Sequence, residues 1–281
     1  MREHRLLITG GTGYLGSELV RQALAGGWQV AATYLARRPA EDRALWLPLD
    51  IRDDRAVEQA FAELRPTVVI HTAYRQDEPD LWAVTAVGAG VVARMAQQIG
   101  ARLIHLSSDV VFDGDRAGSY TERDRPHPIT PYGAAKAAAE RLVVEGCPDA
   151  LIARTSLIYG GAQLSKHEQL VLGAADGHVD VAFFSDELRC PVVVSDLAAA
   201  LLELAPRRES GLLHLAGADI VSRYEFACLI AAAHGRSPDR LRAALSASSR
   251  MPRPRNCALD SSRARQLLRT RLRGVREVLH Q

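Results

Sequence analysis

The chain has 281 residues, of which 47% are hydrophobic and 24% charged, with a net charge of +2. That balance sets aside a disordered chain and leaves a globular protein of one large domain or one and a half. The opening "MREHRLLITGG" has too short an apolar run for a secretory signal, and "DLAAALLELAP" is too short to span a bilayer, so a cytoplasmic protein is expected.

Taken in chain order, short apolar runs alternate with helical patterns. "RLLIT", "QVAATY", "ALWLPLD", "TVVIHT", "RLIHLSS" and "ALIARTS" read as strands, with helices near 15–26, 53–64, 80–99 and 131–145. The β-branched runs suit burial on both faces, which makes the fold class α/β with a doubly wound parallel sheet. After Tyr159 the alternation weakens. "HVDVAFFSDELRCPVVVSDLAAALLELA" reads as strand, loop, strand and helix, and "GLLHLAG" as a further strand. Ser222 to Glu225 has the spacing of a capping box, and a last helix follows Asp260. The expected division is residues 1–159 as a nucleotide-binding Rossmann domain and 160–281 as a smaller substrate-binding lobe, partly interleaved with it.

Cys147, Cys190, Cys228 and Cys257 are far apart and the nine histidines show no ligand-like spacing, so reduced thiols and no protein-bound metal are expected. Residues 236–281 hold 12 arginines against Asp239, Asp260 and Glu277. No aromatic stacking pattern accompanies them, so nucleic acid is not expected as a partner. Arg253 and Arg255 are either solvated or placed to meet a phosphate-bearing small molecule.

"LLITGGTGYLGSEL" puts Gly10, Gly13 and Gly16 between the first strand and the first helix. Glycines there allow a tight turn and close approach of backbone N–H groups to a pyrophosphate, with Thr12, Tyr14 and Leu15 completing the loop. After the second strand the chain runs "TYLARRP", with no acid for a ribose hydroxyl. Arg37 and Arg38 suit a 2′-phosphate instead, so NADPH is expected, with NADH the alternative. Asp50 is placed either to accept from an adenine amine, with Ile51 against the ring, or to cap the next helix. Glu18 is either a first-turn acid facing the helix dipole or a neighbour of a divalent ion.

"TPYGAAKAAAE" starts a helix capped by Thr130, with Pro131 at its first position. Tyr132 and Lys136, four apart, share one face, and the ammonium favours the phenolate of a group whose pKa starts near ~10. Ser107 and Ser108 end the fifth strand, on the side where α/β sheets bind ligands.

In this order the T-G-x-x-G-x-x-G loop at Thr9 to Gly16, Ser108, and the Y-x-x-x-K of Tyr132 and Lys136 resemble the extended short-chain dehydrogenase/reductases. "SSDVVFDGDRAGSYTERDRPHPITPYGAAKAAAE", "ARTSLIYG", "CPVVVSDLAAAL" and "PRPRNCALDSSRARQLL" extend the likeness to the dTDP-4-dehydrorhamnose reductase-like, sugar nucleotide-binding family over nearly the whole chain. The resemblance implies NADPH-dependent reduction of a 4-keto group on a nucleotide-linked 6-deoxy sugar. In that scheme Tyr132 donates the proton, Lys136 tunes it and holds the nicotinamide ribose, and Ser108 polarises the carbonyl. Thr72 and Ala73 are implied at the cofactor, Asp109, Arg189 and Arg253 at the substrate, and a homodimer as the assembly. The chain departs from the family at Val110, Leu157, Thr85 and His71, on the substrate side. An NAD-dependent sugar-nucleotide epimerase or dehydratase, and a non-catalytic NADP-binding regulatory subunit, are the alternatives.

Overall fold

The computed structural model describes residues 5–280. Its centre is a seven-stranded parallel sheet flanked by helices. Strand β1 (Arg5–Thr9) leads through helix α1 (Tyr14–Ala25) to β2 (Gln29–Tyr34) and β3 (Leu45–Pro48). Helix α2 (Asp54–Leu64) precedes β4 (Val68–His71), and α3 (Ala89–Gln98) precedes β5 (Arg102–Ser108). Helix α4 (Pro131–Gly146) then leads to β6 (Leu151–Thr155), followed by β7 (Ile158–Tyr159) and α5 (Lys166–Ala175). Next come β8 (Ala182–Phe184), β9 (Leu188–Arg189), β10 (Val192–Val193), α6 (Val194–Leu204) and β11 (Gly211–His214). Strand β12 (Val221–Ser222), α7 (Arg223–Ala233), β13 (Arg242–Ala244), α8 (Ser262–Leu267) and α9 (Val275–Leu279) complete the chain.

The sheet runs β11-β6-β5-β4-β1-β2-β3. The order reverses direction at β1 and β4, the place where a doubly wound sheet binds ligands beyond its strand ends. Near-continuous Val, Leu and Ile in β1, β4 and β5 give strands buried along almost their whole length. Their register pairs Leu7 with Val69 and Val69 with Leu103. These three join Val92, Ala139 and Val143 in one core cluster.

The chain forms two compact units. Of the described residues, one holds 5–107, 134–153 and 198–213; the other holds 108–133, 154–197 and 214–280. The first carries the large sheet. The second has its own core of Tyr159, Val171, Phe183, Phe226 and Ile230, with paired short strands β10 with β7, β12 with β9 and β13 with β8.

Two local readings change. The helix read at 80–99 includes a π-helical stretch at Ala83–Gly88 before α3, where the side chain of Ile51 fills the space beside Gly88. At α7 only half the capping box forms. Ser222 accepts from the Glu225 N–H at 3.0 Å, but the Glu225 carboxylate is taken by Arg276. A complete box forms at α5, where Ser165 and Glu168 bond reciprocally.

Candidate active site

The glycine loop belongs to the first unit, and its geometry requires glycines. Gly10 has φ +71°, and a Cβ there would lie 2.8 Å from the backbone of Ala73; one on Gly16 would lie 2.1 Å from the Gly10 carbonyl oxygen. Gly11, which the spacing does not single out, is equally constrained. Its Cβ would meet Ala32 at 2.8 Å and the Trp46 ring at 2.9 Å. The Gly10 N–H donates to Thr33 Oγ1 at 3.0 Å, and Thr72 Oγ1 donates to the Thr9 carbonyl at 2.7 Å. Strands β1 and β2 and the segment after β4 therefore fix the loop together. Gly13 stands at the N-cap of α1 with no side-chain cap among the described residues, and the first turn holds no acid. Thr12 is exposed, Tyr14 half-buried and Leu15 buried. A helix start with no side-chain cap among the described residues, in a shape that only glycines fit, suits a dinucleotide pyrophosphate.

Arg37 and Arg38 are exposed in the loop after β2. Asp50 is held by Arg52, in an ion pair of 2.6 Å and through the Arg52 N–H at 3.0 Å; Arg52 also reaches Asp80 at 2.6 Å. The Arg52 hydrogen bond keeps the Asp50 carboxyl below its usual pKa. The cap of α2 is Asp53, which accepts from Arg55 and Ala56 at 3.0 Å each, so capping by Asp50 is corrected. Ile51 is 4% exposed and part of the core. Glu18 lies beyond the first turn of α1, and its carboxylate takes Arg21 at 2.6 Å and Gln22 at 2.7 Å. Its place beyond the first turn sets aside the first-turn reading made for it from sequence. Among the described residues no cluster of His, Cys, Asp and Glu is arranged to hold a metal ion.

At the end of β5 the chain makes a 3-10 turn, Asp109–Val111. Ser108 Oγ is 3.2 Å from Asp109 Oδ1 and 3.4 Å from the Val110 nitrogen. Helix α4 begins as the sequence indicates, with Pro131 first and Thr130 Oγ1 accepting from the Gly133 N–H at 3.0 Å. Tyr132 is half-buried and Lys136 is 4% exposed, one helical turn apart on α4. Lys136 Nζ donates to the Leu106 carbonyl at 2.8 Å and lies 5.2 Å from the centroid of the Tyr74 ring. Burial pulls its pKa down to about 8, with Glu140 opposing the shift.

The second unit holds Asp109, Arg189 and Arg253. Asp109 is 2% exposed and accepts from Ser156 Oγ at 2.6 Å, with Arg189 Nε at 3.7 Å. Burial raises its pKa despite that guanidinium. Arg189 donates to the carbonyls of Leu188 at 2.7 Å, Arg255 at 3.1 Å and Pro254 at 2.9 Å. Its 4% exposure fits an anchor for the 254–255 segment rather than a side chain offered to a ligand. Arg253 is exposed. It bonds Glu187 at 2.5 Å, stacks over Phe184 at 4.8 Å, and lines a cavity of about 440 Å³ with Phe183, Arg223, Arg242 and Ser249.

Arg223 is the cavity residue that sequence reasoning missed, because "VSRYEFA" signals only a helix start. Burial, then repulsion from Arg189, lowers its pKa to about 10 against the attraction of Glu187. No carboxylate among the described residues forms an ion pair with it.

Three of the departures from the family have packing roles. Thr85 donates to the Arg75 carbonyl at 2.6 Å and accepts its N–H at 2.9 Å, bracing the loop after β4. Leu157 packs on the second core, and Val110 presents its carbonyl to Gly133.

The chain is 35% identical to the dTDP-4-dehydrorhamnose reductase of Mycolicibacterium smegmatis, over 98% of this chain and 84% of that one. It is 32% identical to methionine adenosyltransferase 2 subunit beta of Rattus norvegicus, over 98% and 87%. Among solved structures it is similar to dTDP-4-dehydrorhamnose reductase from Bacillus anthracis str. Ames in complex with NADP. There the TM-score is 0.83 at 26% identity, covering 99% of this chain and 98% of that one. The family model described as RmlD substrate binding domain matches residues 4–281, and the chain belongs to that family.

Proposed function

We propose that the protein is an NADPH-dependent reductase of a 4-keto group on a nucleotide-linked 6-deoxy sugar. The observation that carries this reading is Lys136, buried on α4 one turn beyond Tyr132 and fixed to the carbonyl of Leu106. A buried ammonium so placed stabilises a phenolate on the same helix face, which makes Tyr132 the proton donor to the carbonyl oxygen. Ser108, at the end of β5, donates a hydrogen bond to that oxygen. NADPH, when bound, supplies the hydride. Gly10, Thr12, Gly13, Tyr14, Leu15 and Gly16 hold its pyrophosphate, and Arg37 and Arg38 meet the 2′-phosphate. Thr72 and Ala73 line the nicotinamide side, and Asp50 and Ile51 flank the adenine.

Arg223 and Arg253, in the cavity beside Phe183, are the groups we assign to the diphosphate of the nucleotide. The relative from Mycolicibacterium smegmatis and the NADP-bound structure support the reductase reading. The four free thiols fit our placement of the reaction in the cytoplasm. The subunit named methionine adenosyltransferase 2 subunit beta favours a second reading, an NADP-binding subunit without turnover.

Titration calorimetry with NADPH, followed by a panel of dTDP-, UDP- and GDP-sugars, separates the two. The reductase reading expects NADPH and one nucleotide class to bind. Binding of NADPH with no nucleotide sugar would favour the second reading.

A further inference from the structure

The opening stretch of α4 ends on Glu140, a buried carboxylate that the catalytic scheme does not use. It is 6% exposed, lies one helical turn beyond Lys136, and accepts from Ser107 Oγ at 2.5 Å. Ser107 is the residue before Ser108. One buried hydrogen bond thus ties the end of β5, which carries the serine, to the helix that carries Tyr132 and Lys136.

Among the described residues Glu140 is the acid that acts on Lys136. His71, on β4, and His105, on β5, are register partners, each 1% exposed, with rings stacked at 5.2 Å and 24°. His71 Nδ1 is 2.6 Å from Thr9 Oγ1, while His71 Nε2 and both ring nitrogens of His105 lack a hydrogen-bond partner among the described residues. Burial and the Lys136 charge keep both rings neutral. Tyr74 presents its ring face to the ammonium. Lys136 is therefore a buried cation near two neutral imidazoles, and Glu140 is the acid that favours its protonated form.

We infer that Glu140 is a positioning residue: through Ser107 it locks α4 to the end of β5, and its charge keeps Lys136 an ammonium at working pH. The inference deepens the reductase reading and rests on it for its kinetic consequence, but the lysine can be observed without any substrate. Lys136 and Lys166 are the only lysines in the chain, and Lys166 is exposed. Selective ¹³C labelling of lysine therefore gives two side-chain signals, with Lys166 as an internal reference.

In the wild type the Lys136 signal should titrate near its lowered value, about 8. Glu140→Gln keeps the shape and the hydrogen bond but removes the charge, and should move that midpoint down by about one pH unit or more. Glu140→Asp, which keeps the charge, should restore most of the shift. Where turnover is measurable, the alkaline limb of kcat/KM should move in parallel with the signal.

An unchanged Lys136 midpoint in Glu140→Gln, with Glu140→Asp folded and equally unchanged, would overturn the inference. A wild type that reduces no keto sugar would defeat the functional reading, and the lysine titration would still decide the role of Glu140.

Discussion

A Cβ on Gly133 would lie 2.2 Å from the carbonyl oxygen of Val110, so the first turn of α4 rests on the turn after β5 at a distance only glycine allows. The contact sets where Tyr132 begins. At an ordinary helical position Gly→Ala gains about 0.5–1 kcal/mol. Here the backbone must retreat, and Tyr132 moves with it. Gly133→Ala should lower kcat/KM by about 10- to 100-fold, the cost of a misplacement near 1 Å, with NADPH affinity nearly unchanged. Steady-state kinetics beside calorimetry checks it, and wild-type kinetics would contradict the fit.

Arg37 and Arg38 are exposed after β2, and neither pairs with an acid among the described residues. If they hold a 2′-phosphate, replacing both with Ala removes charge-assisted bonds worth about 1.5–3 kcal/mol each. NADPH should then bind at least about 10-fold more weakly, while NADH binding stays within about 2-fold. Equal losses for the two cofactors would remove these arginines from the phosphate.

The fold should also be sensitive to acid. Burial holds His71 and His167 at a pKa of about 3, and His105 well below the ordinary value. In the unfolded chain each takes up a proton near pH ~6.5. Because the folded values are depressed, the stability is present above ~6.5 and is lost as pH falls toward about 3. Each such histidine contributes a slope of about 1.4 kcal/mol per pH unit in that window. Urea midpoints at pH 8, 6 and 5 should fall across the last interval. A flat profile would show that these rings accept protons in the native state.

Arg223 distinguishes a ligand-binding cation from a packing one. Its charge is desolvated and repelled by Arg189, with Glu187 and Asp109 opposing, so Arg223→Gln should change the melting temperature little. It should weaken nucleotide-sugar binding by about 10-fold, the scale of one charge-assisted hydrogen bond, and leave NADPH binding intact. A destabilised variant with unchanged sugar affinity would make Arg223 a structural residue.

Much of this site is legible in the sequence because its parts are local. β5 is read at its true limits from "RLIHLSS", and Thr130, Pro131, Tyr132 and Lys136 lie within a single stretch whose helical period fixes their face. What was not legible depends on residues distant in the chain. Gly11 and Gly133 need to be glycine because of Trp46 and Val110, and neither neighbour can be inferred from spacing. The π-helical stretch at 83–88 keeps a helix-like pattern of apolar residues while its hydrogen bonds shift, so 80–99 reads as one helix. Glu225 matches a capping box in sequence, yet Arg276, 51 residues away, holds its carboxylate. Arg189 and Arg253 look alike as family-segment arginines. Only the fold shows one buried against carbonyls and the other facing a cavity.

The most direct test of the central claim is NADPH absorbance on mixing the protein with a dTDP-linked 4-keto-6-deoxy sugar, for wild type and Tyr132→Phe side by side. The account predicts NADPH consumption that requires the sugar, and a fall of at least ~100-fold in the variant at undiminished NADPH binding. Turnover in Tyr132→Phe equal to wild type, or no consumption by a wild type that binds both ligands, would contradict it.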